Sequence, residues 1–322
     1  MQEQLTSINE LNLKDLPKGK IYRFWLNIIS NSFGSPIQIP IIVAKGQYDG
    51  ITLGLTAAVH GNELNGIPVI QRIFKEVDVS VLKGTIIGVP VVNVVSFFRK
   101  KRRFNDGTDL NHIMPGKQKG NVSQVYAYRF FNKIIKQFDY LIDLHTASFG
   151  RINSYYIRAD MSDARTKKLA LLQNAQIIVH NPPADGTLRG AASAEGICAI
   201  TLEVGNPNTF QKGLIREGLS GMHNSLIDLG MYEGDLDLNE EDQPVLCKES
   251  YWIYTEQGGI LTVHPKETEI VEKGQHIATI QNIFGDVIQK YTAPEKGIII
   301  GKSVSPVNQS GGRILHLGIL KD

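Results

Sequence analysis

Only two cysteines, Cys198 and Cys247, occur in 322 residues, in unrelated contexts and with no partner at metal-like spacing. That scarcity excludes a disulfide framework and a thiolate metal site, and the pair reads as reduced thiols in a cytoplasmic protein. An excess of one charge is lacking too. The 34 basic and 32 acidic residues leave a formal net charge of +2, so no global field argues for nucleic acid or an anionic membrane as a partner. No apolar run approaches the roughly 20 residues of a membrane span. The opening MQEQLTSINELNLKDLPKGK carries acids where a secretory leader has a basic start and an apolar core.

What is present is an ordinary globular composition, 42% hydrophobic and sufficient for a sizeable core. From residue 36 to about 230, short β-branched runs alternate with longer amphipathic segments. Strands are expected at 50–59, 84–92, 138–145, 154–159, 176–179 and 197–204. Leu64, Ile67, Ile70, Ile73, Phe74 and Val77 fall at helical spacing over 64–77. Ser123 is placed to cap a helix reaching Gln137, a helix follows at about 162–173, and further helices end near Leu229. Apolar strands alternating with helices predict an α/β fold, with a mixed, mostly parallel sheet covered by helices on both faces.

The composition then changes. Residues 231–249 are acidic and poor in order signals, and beyond them short strands are punctuated by Gly, Pro and Asn. The expected division is a catalytic domain over 1–235 that includes N-terminal strands at 20–45, a linker at 236–249, and a small all-β, barrel-like domain at 250–322.

The stretch TAAVHGNELNG, residues 56–66, puts His60 at the end of an apolar run and Glu63 three positions later. A catalytic zinc takes three protein ligands from His, Asp or Glu and leaves a fourth position for water, whose pKa falls to about 7. His60 and Glu63 supply two donors at a strand's carboxyl end, the edge where open α/β sheets bind ligands. LIDLHTAS offers His145 as the third from an equivalent position, with Asp143 on the same side of the strand to orient a histidine. ITLEVGNP delivers Glu203 from another strand end, a free carboxylate suited to general acid–base work. Taken singly, H-x-x-E is usually turn chemistry, His145 a core histidine and Glu203 a salt-bridge partner; three strand ends in agreement favour a metal hydrolase.

Five motifs in order, AAVHGNELNGIPVI, RFNDGTDLNHIMPG, LIDLHTAS, DGTLRGAA and AITLEVGNP, resemble those of the succinylglutamate desuccinylase/aspartoacylase family, relatives of the zinc carboxypeptidases. The resemblance covers most of residues 40–230. It implies one zinc ion per subunit on His60, Glu63 and His145, with Glu203 as general base. It also implies that Arg103 polarises the scissile carbonyl, that Asn111 helps hold a substrate carboxylate, and that Arg189 meets the substrate's far end. One position departs: where the family continues DLNR, this chain has His112, which offers no bidentate fork to a carboxylate.

The basic run RKKRR at 99–103 precedes the second motif, so Arg103 is expected to point inward while Arg99, Lys100 and Lys101 read as a solvated loop. No interleaved aromatics or recognised motif support nucleic-acid binding. Residues 250–322 are similar to a biotinyl/lipoyl carrier fold, but the hairpin turn that carries the modified lysine in such domains reads FGD here, at Gly285 and Asp286. Packing against the catalytic domain, narrowing of the cleft, or a homo-oligomer interface is expected of this unit. His180, His223, His264, His276 and His316 receive no metal role.

The function expected is zinc-dependent hydrolysis of an amide bond in a small N-acylated amino acid or amine, by metal-bound water with Glu203 as base. A peptide-trimming zinc carboxypeptidase is the second reading, made less convincing by His112. A non-catalytic binding protein that keeps the fold is the third.

Overall fold

The computed structural model describes residues 5–184, 186–239 and 243–321. A large mixed sheet forms the frame. From one edge its strands run Thr6–Ile8, Lys20–Ser30, Pro36–Lys45, Lys83–Val89, Tyr48–Ala57, Tyr140–His145, Cys198–Val204, Tyr155–Ala159, Ile177–His180, Val245–Tyr254, Arg313–Leu320, Gly297–Ser303 and Ile270–Val271. The centre is parallel. Lys83–Val89, Tyr48–Ala57, Tyr140–His145 and Cys198–Val204 all run the same way, and their buried, almost unbroken apolar sequences are what strands covered on both faces require.

Parallel register decides where the site lies. Ala57 is level with Leu144, and His145 is level with Glu203, so three strand ends reach one edge of the sheet together. The expected helix over 64–77 forms as Gly66–Glu76, burying Ile67, Val69, Ile70, Ile73 and Phe74. It packs against the long helix Lys212–Asp228. Gly66 permits its close approach, since a Cβ there would strike the side chains of Leu144 and Ala57.

Two expectations need correction. The helix expected to begin at Ser123 is Val122–Lys133, and its cap is Asn121. The Asn121 side chain accepts from the Gln124 N–H at 3.0 Å, and the Gln124 side chain accepts from the Asn121 N–H at 3.1 Å. A reciprocal box of this kind satisfies two otherwise orphaned donors and outcompetes a lone serine two residues inside. The helix also stops short of Gln137, breaking at Ile134 into a 3-10 turn over Ile135–Gln137.

The chain beyond residue 243 is stitched to the rest. Val245–Tyr254 pairs parallel with Ile177–His180 and antiparallel with Arg313–Leu320, so residues 245–249 belong to the sheet and not to a linker. Arg151–Asn153 adds a second seam against Gly297–Ser303. A separate four-stranded antiparallel sheet, ordered Val287–Thr292, His276–Gln281, Gly259–Val263 and Val307–Asn308, covers the end of the large one. Between them lies a second core of Leu261, Ile277, Ile280, Ile299, Leu315 and Leu317. No helix among the described residues is long and apolar enough to cross a membrane.

Candidate metal centre and active-site cleft

The loop after Tyr48–Ala57 is shaped for its task. Ala58 sits at a left-handed φ of 52°, a conformation that costs a non-glycine residue on the order of 1 kcal/mol. Backbone bonds to the next segment hold it there: the Val92 N–H donates to Ala57 at 2.9 Å and the Asn93 N–H to Ala58 at 3.0 Å. Gly61 has no room for a side chain, because a Cβ would collide with the backbone of Ser96 and Phe97. Asn65, wholly buried, donates to the Val204 carbonyl at 2.7 Å and accepts from the Gln211 N–H at 3.0 Å, tying this loop to the end of the Glu203 strand.

His60, Glu63 and His145 come together, all buried, with one candidate donor atom from each lying within 4.8 Å of the others. His60 Nδ1 lies 2.9 Å from one oxygen of Glu63, and His145 Nδ1 lies 2.9 Å from the other. Each ring's Nε2 faces an aspartate: Asp109 at 2.9 Å for His60, Asp143 at 2.7 Å for His145. Asp143 is itself fixed by the Thr56 hydroxyl, which donates to it at 2.6 Å.

This arrangement fits a cation. A ring nitrogen bound to an aspartate carries the proton, which leaves the Nδ1 lone pair of each histidine turned toward Glu63. Acceptors facing acceptors need positive charge among them. His60 Nδ1 is buried and lacks a hydrogen-bond partner although Glu63 stands 2.9 Å away, as expected of two atoms aimed at a common point and not at each other. Protonated imidazoles would supply that charge in an ion's place. Burial opposes ionisation of Glu63, but His60 and His145 hold its carboxyl well below the usual range. Burial likewise works against charge on His145, yet Asp143 and Glu63 push its pKa well above the ordinary imidazole value.

Glu203 stands beside this group with one oxygen 3.3 Å from the Asn153 side-chain nitrogen and the other 3.9 Å from Arg158 Nε. Burial, reinforced by Glu63, raises its pKa, against the opposing influence of His145, Arg158 and Arg102. It lines a cavity of about 310 Å³ that also includes the three candidate ligands, Asn111, His112 and Arg189.

The arginine of the basic run needs correction. Arg103, expected to face inward, is exposed and donates to the Gly107 carbonyl at 3.2 Å. Arg102 enters the cavity in its place. Its Nη1 donates to Glu63 at 2.7 Å and to the Ser148 hydroxyl at 2.7 Å, while Nε donates to Asp109 at 3.0 Å. Asn111 turns its side-chain oxygen to the Leu188 N–H at 2.7 Å. His112 is exposed at the cavity's rim. Arg189 is buried and anchored, donating to the Asn181 carbonyl at 2.9 Å and to its side-chain oxygen at 2.5 Å. Burial, with Arg158 nearby, brings its pKa down to about 10.

Sequence reasoning missed Arg102, Asp109, Arg151, Arg158, Trp252 and Arg313, all in or bonded to the site. Asp109 lay within the quoted DLN motif, and Arg102 beside the residue chosen. Trp252 and Arg313 lie in the C-terminal unit, where no motif marked them.

Comparison with known proteins shows the family of the chain. The model of the succinylglutamate desuccinylase/aspartoacylase catalytic domain matches residues 49–229. The N-alpha-acetyl-L-2,4-diaminobutyric acid deacetylase of Halomonas elongata is 26% identical over 281 residues, 83% of this chain and 81% of that protein. Among solved structures, the product-bound ectoine utilization protein EutE (DoeB) of Ruegeria pomeroyi superposes with a TM-score of 0.86 at 21% identity, covering 95% of this chain and 98% of that one. A succinylglutamate desuccinylase/aspartoacylase from Rhodobacter sphaeroides gives 0.87 at 20% identity, covering 98% and 99%. With more than half of its length matched and its strand ends built as described, the chain belongs to the succinylglutamate desuccinylase/aspartoacylase family.

Proposed function

We propose that the protein is a deacylase that hydrolyses the amide bond of a small N-acyl amino acid, with His60, Glu63 and His145 holding a zinc ion. Two imidazoles and one carboxylate suit zinc better than the harder divalent ions. Family membership and the deacetylase relative support amide hydrolysis. Bound at this site, the ion would supply Lewis acidity to an attacking water and to the scissile carbonyl.

The chain's own residues do the rest. Glu203, level with His145 in the sheet and unencumbered by a close ion pair, takes the proton from the attacking water and passes it to the leaving nitrogen. Its raised pKa suits a group that must accept a proton and then release it. Arg102, braced by Glu63, Asp109 and Ser148, is pre-aligned to stabilise negative charge developing on the carbonyl oxygen. Asn111, His112 and Arg189 line the part of the cavity that receives the amino-acid end. A space of about 310 Å³ walled by Trp252 and Arg313 suits a small molecule better than a peptide.

The observation that carries this reading is the meeting of a largely enclosed Glu203, in no close ion pair, with the His–Glu–His group on adjacent strand ends. The test is Glu203→Gln. Metal content by mass spectrometry should stay at one ion per chain, while turnover of the best N-acyl amino acid should fall by roughly a hundredfold or more. Near-normal turnover in that variant would mean the base is another residue.

A further inference from the structure

A second cavity, of about 270 Å³, lies where the helix Ala164–Leu171 and the strands Ile177–His180 and Val245–Tyr254 meet Lys321. It shares no lining residue with the catalytic cleft. Its floor is apolar, made of Met161, Ile178, Leu246 and the thiol of Cys247, which burial pushes up to a pKa of about 12 and so keeps neutral. Its rim is cationic, and no acid lines it. Lys167, Lys248 and Lys321 have no carboxylate within ion-pair distance among the described residues, whereas Lys168, next on the same helix, is paired with Asp228 at 2.7 Å.

The backbone aims these groups. Between Cys247 and Glu249 the ladder to Arg313–Leu320 shifts register, which makes Lys248 the extra residue of a β-bulge. Leu246, Cys247 and Lys248 therefore all reach one cavity, where regular alternation would send the middle residue to the opposite face. The Lys321 N–H donates to the Leu246 carbonyl at 2.9 Å, which fixes that residue at the rim. His180 adds a directed donor. Its Nδ1 accepts from the Met161 N–H at 3.1 Å, so the ring proton stands on Nε2, which has no partner among the described residues. Asp160, 3.9 Å from that Nδ1, is occupied by the N–H and hydroxyl of Ser162 at 3.0 and 2.6 Å.

We infer that this cavity is a binding site for a small organic anion with a compact apolar body, its charge held by the three lysines and His180 Nε2 and its body seated on the floor. Ammonium groups act as point charges on flexible stems, so a carboxylate and a phosphate suit them alike. The site itself stands apart from the deacylase reading; only its effect on the cleft rests on that reading. His180 is followed by Asn181, whose carbonyl and side-chain oxygen hold Arg189 in the catalytic cleft. A ligand that steadies His180 steadies the platform of Arg189.

Methionine ε-methyl NMR on the full chain reads the site directly. Met161 lines this cavity, and no methionine among the described residues lines the catalytic cleft. With the signal assigned by Met161→Leu, phenyl phosphate and benzoate should each shift it saturably, and the tighter of the two distinguishes phosphate from carboxylate. Benzyl alcohol, which lacks the charge, and inorganic phosphate, which lacks the body, should bind more weakly by about tenfold or more. Lys248→Gln combined with Lys321→Gln should weaken both organic anions by about tenfold or more. A Met161 signal that neither anion moves at millimolar concentration, that benzyl alcohol moves equally well, or whose shift the lysine substitutions leave unchanged would overturn the site. With the tighter anion present, KM for the best N-acyl amino acid should fall several-fold in the parent and not in the doubly substituted chain, at little-changed kcat. An equal or inverted KM response would overturn the coupling and leave the site. Absence of any N-acyl turnover, with a methyl shift that still depends on the lysines, would sink the deacylase reading and leave the site.

Discussion

The two walls of the cleft hold their charges in opposite ways. On the wall built from the parallel strand ends and the loop that follows Val94–Phe98, the charged groups are interlocked and mostly buried: Asp143 on His145, Asp109 on His60, Arg102 across Glu63 and Asp109. On the wall built from the C-terminal strands, Arg313 is exposed and leans on Trp252, with no acid at ion-pair distance among the described residues. A wall that must keep reacting groups within a fraction of an ångström is over-determined by its own bonds, whereas the opposite wall holds its cation by stacking on one ring.

Mutations on the first wall should therefore be the more damaging. His145→Ala removes one candidate donor and takes one partner each from the buried carboxylates of Asp143 and Glu63. Metal content should drop below one ion per chain and turnover should fall to background. Metal retention near the parent level would break the comparison at its centre.

The next largest effect separates neighbours. Arg102→Ala should lower kcat by roughly 10²–10³, the usual cost of losing a positioned donor to a developing oxyanion. Arg103→Ala should stay within a few-fold, since its guanidinium reaches only the Gly107 carbonyl at 3.2 Å. Equal losses would mean that the loop does not hold the alternation described.

That alternation shows how far the sequence could be read. His60, Glu63, His145 and Glu203 were legible because each ends an apolar strand, and a parallel sheet brings strand ends to one edge. The central strands and the first helix were legible for the same reason, being long and strongly periodic. Arg102 was not, because the segment after the short helix Val94–Phe98 has no period to read. Three backbone bonds back to Ser96 and Phe97, with Lys100 at a φ of 52°, turn the chain before it runs on. Arg102 is then half-buried before the buried ring of Phe104, while Arg103 is exposed. Trp252 and Arg313 were out of reach because their place in the cleft depends on a strand pairing 68 positions away, Val245–Tyr254 beside Ile177–His180.

The smallest effect belongs to the seam between the walls. His316 is buried, stacked on Trp252 at 5.1 Å and edge-on to Tyr156 at 6.0 Å, with Nε2 2.8 Å from the Ser250 hydroxyl. Burial first, and then Arg158 and Arg313, hold its pKa well below the ordinary 6.5. The unfolded chain takes up a proton near that value which the folded protein refuses, so this contribution to stability is complete at neutral pH and is lost as pH falls below about 6.5. Each pH unit in that window costs up to about 1.4 kcal/mol, and denaturant melts at pH 7 and pH 5.5 measure it. His316→Phe, which keeps a ring on Trp252, should flatten the dependence; an unchanged slope would place its origin elsewhere.

Had a flexible tether joined the two parts, the wall of Trp252 and Arg313 would drift by ångströms relative to the reacting centre, and the cavity between them would have no fixed width. Val245–Tyr254 removes that freedom, because one strand is laddered on one side to Ile177–His180 and on the other to Arg313–Leu320. The cleft therefore works as a gauge of fixed span, set by the strand ladder and not by the motion of a hinge.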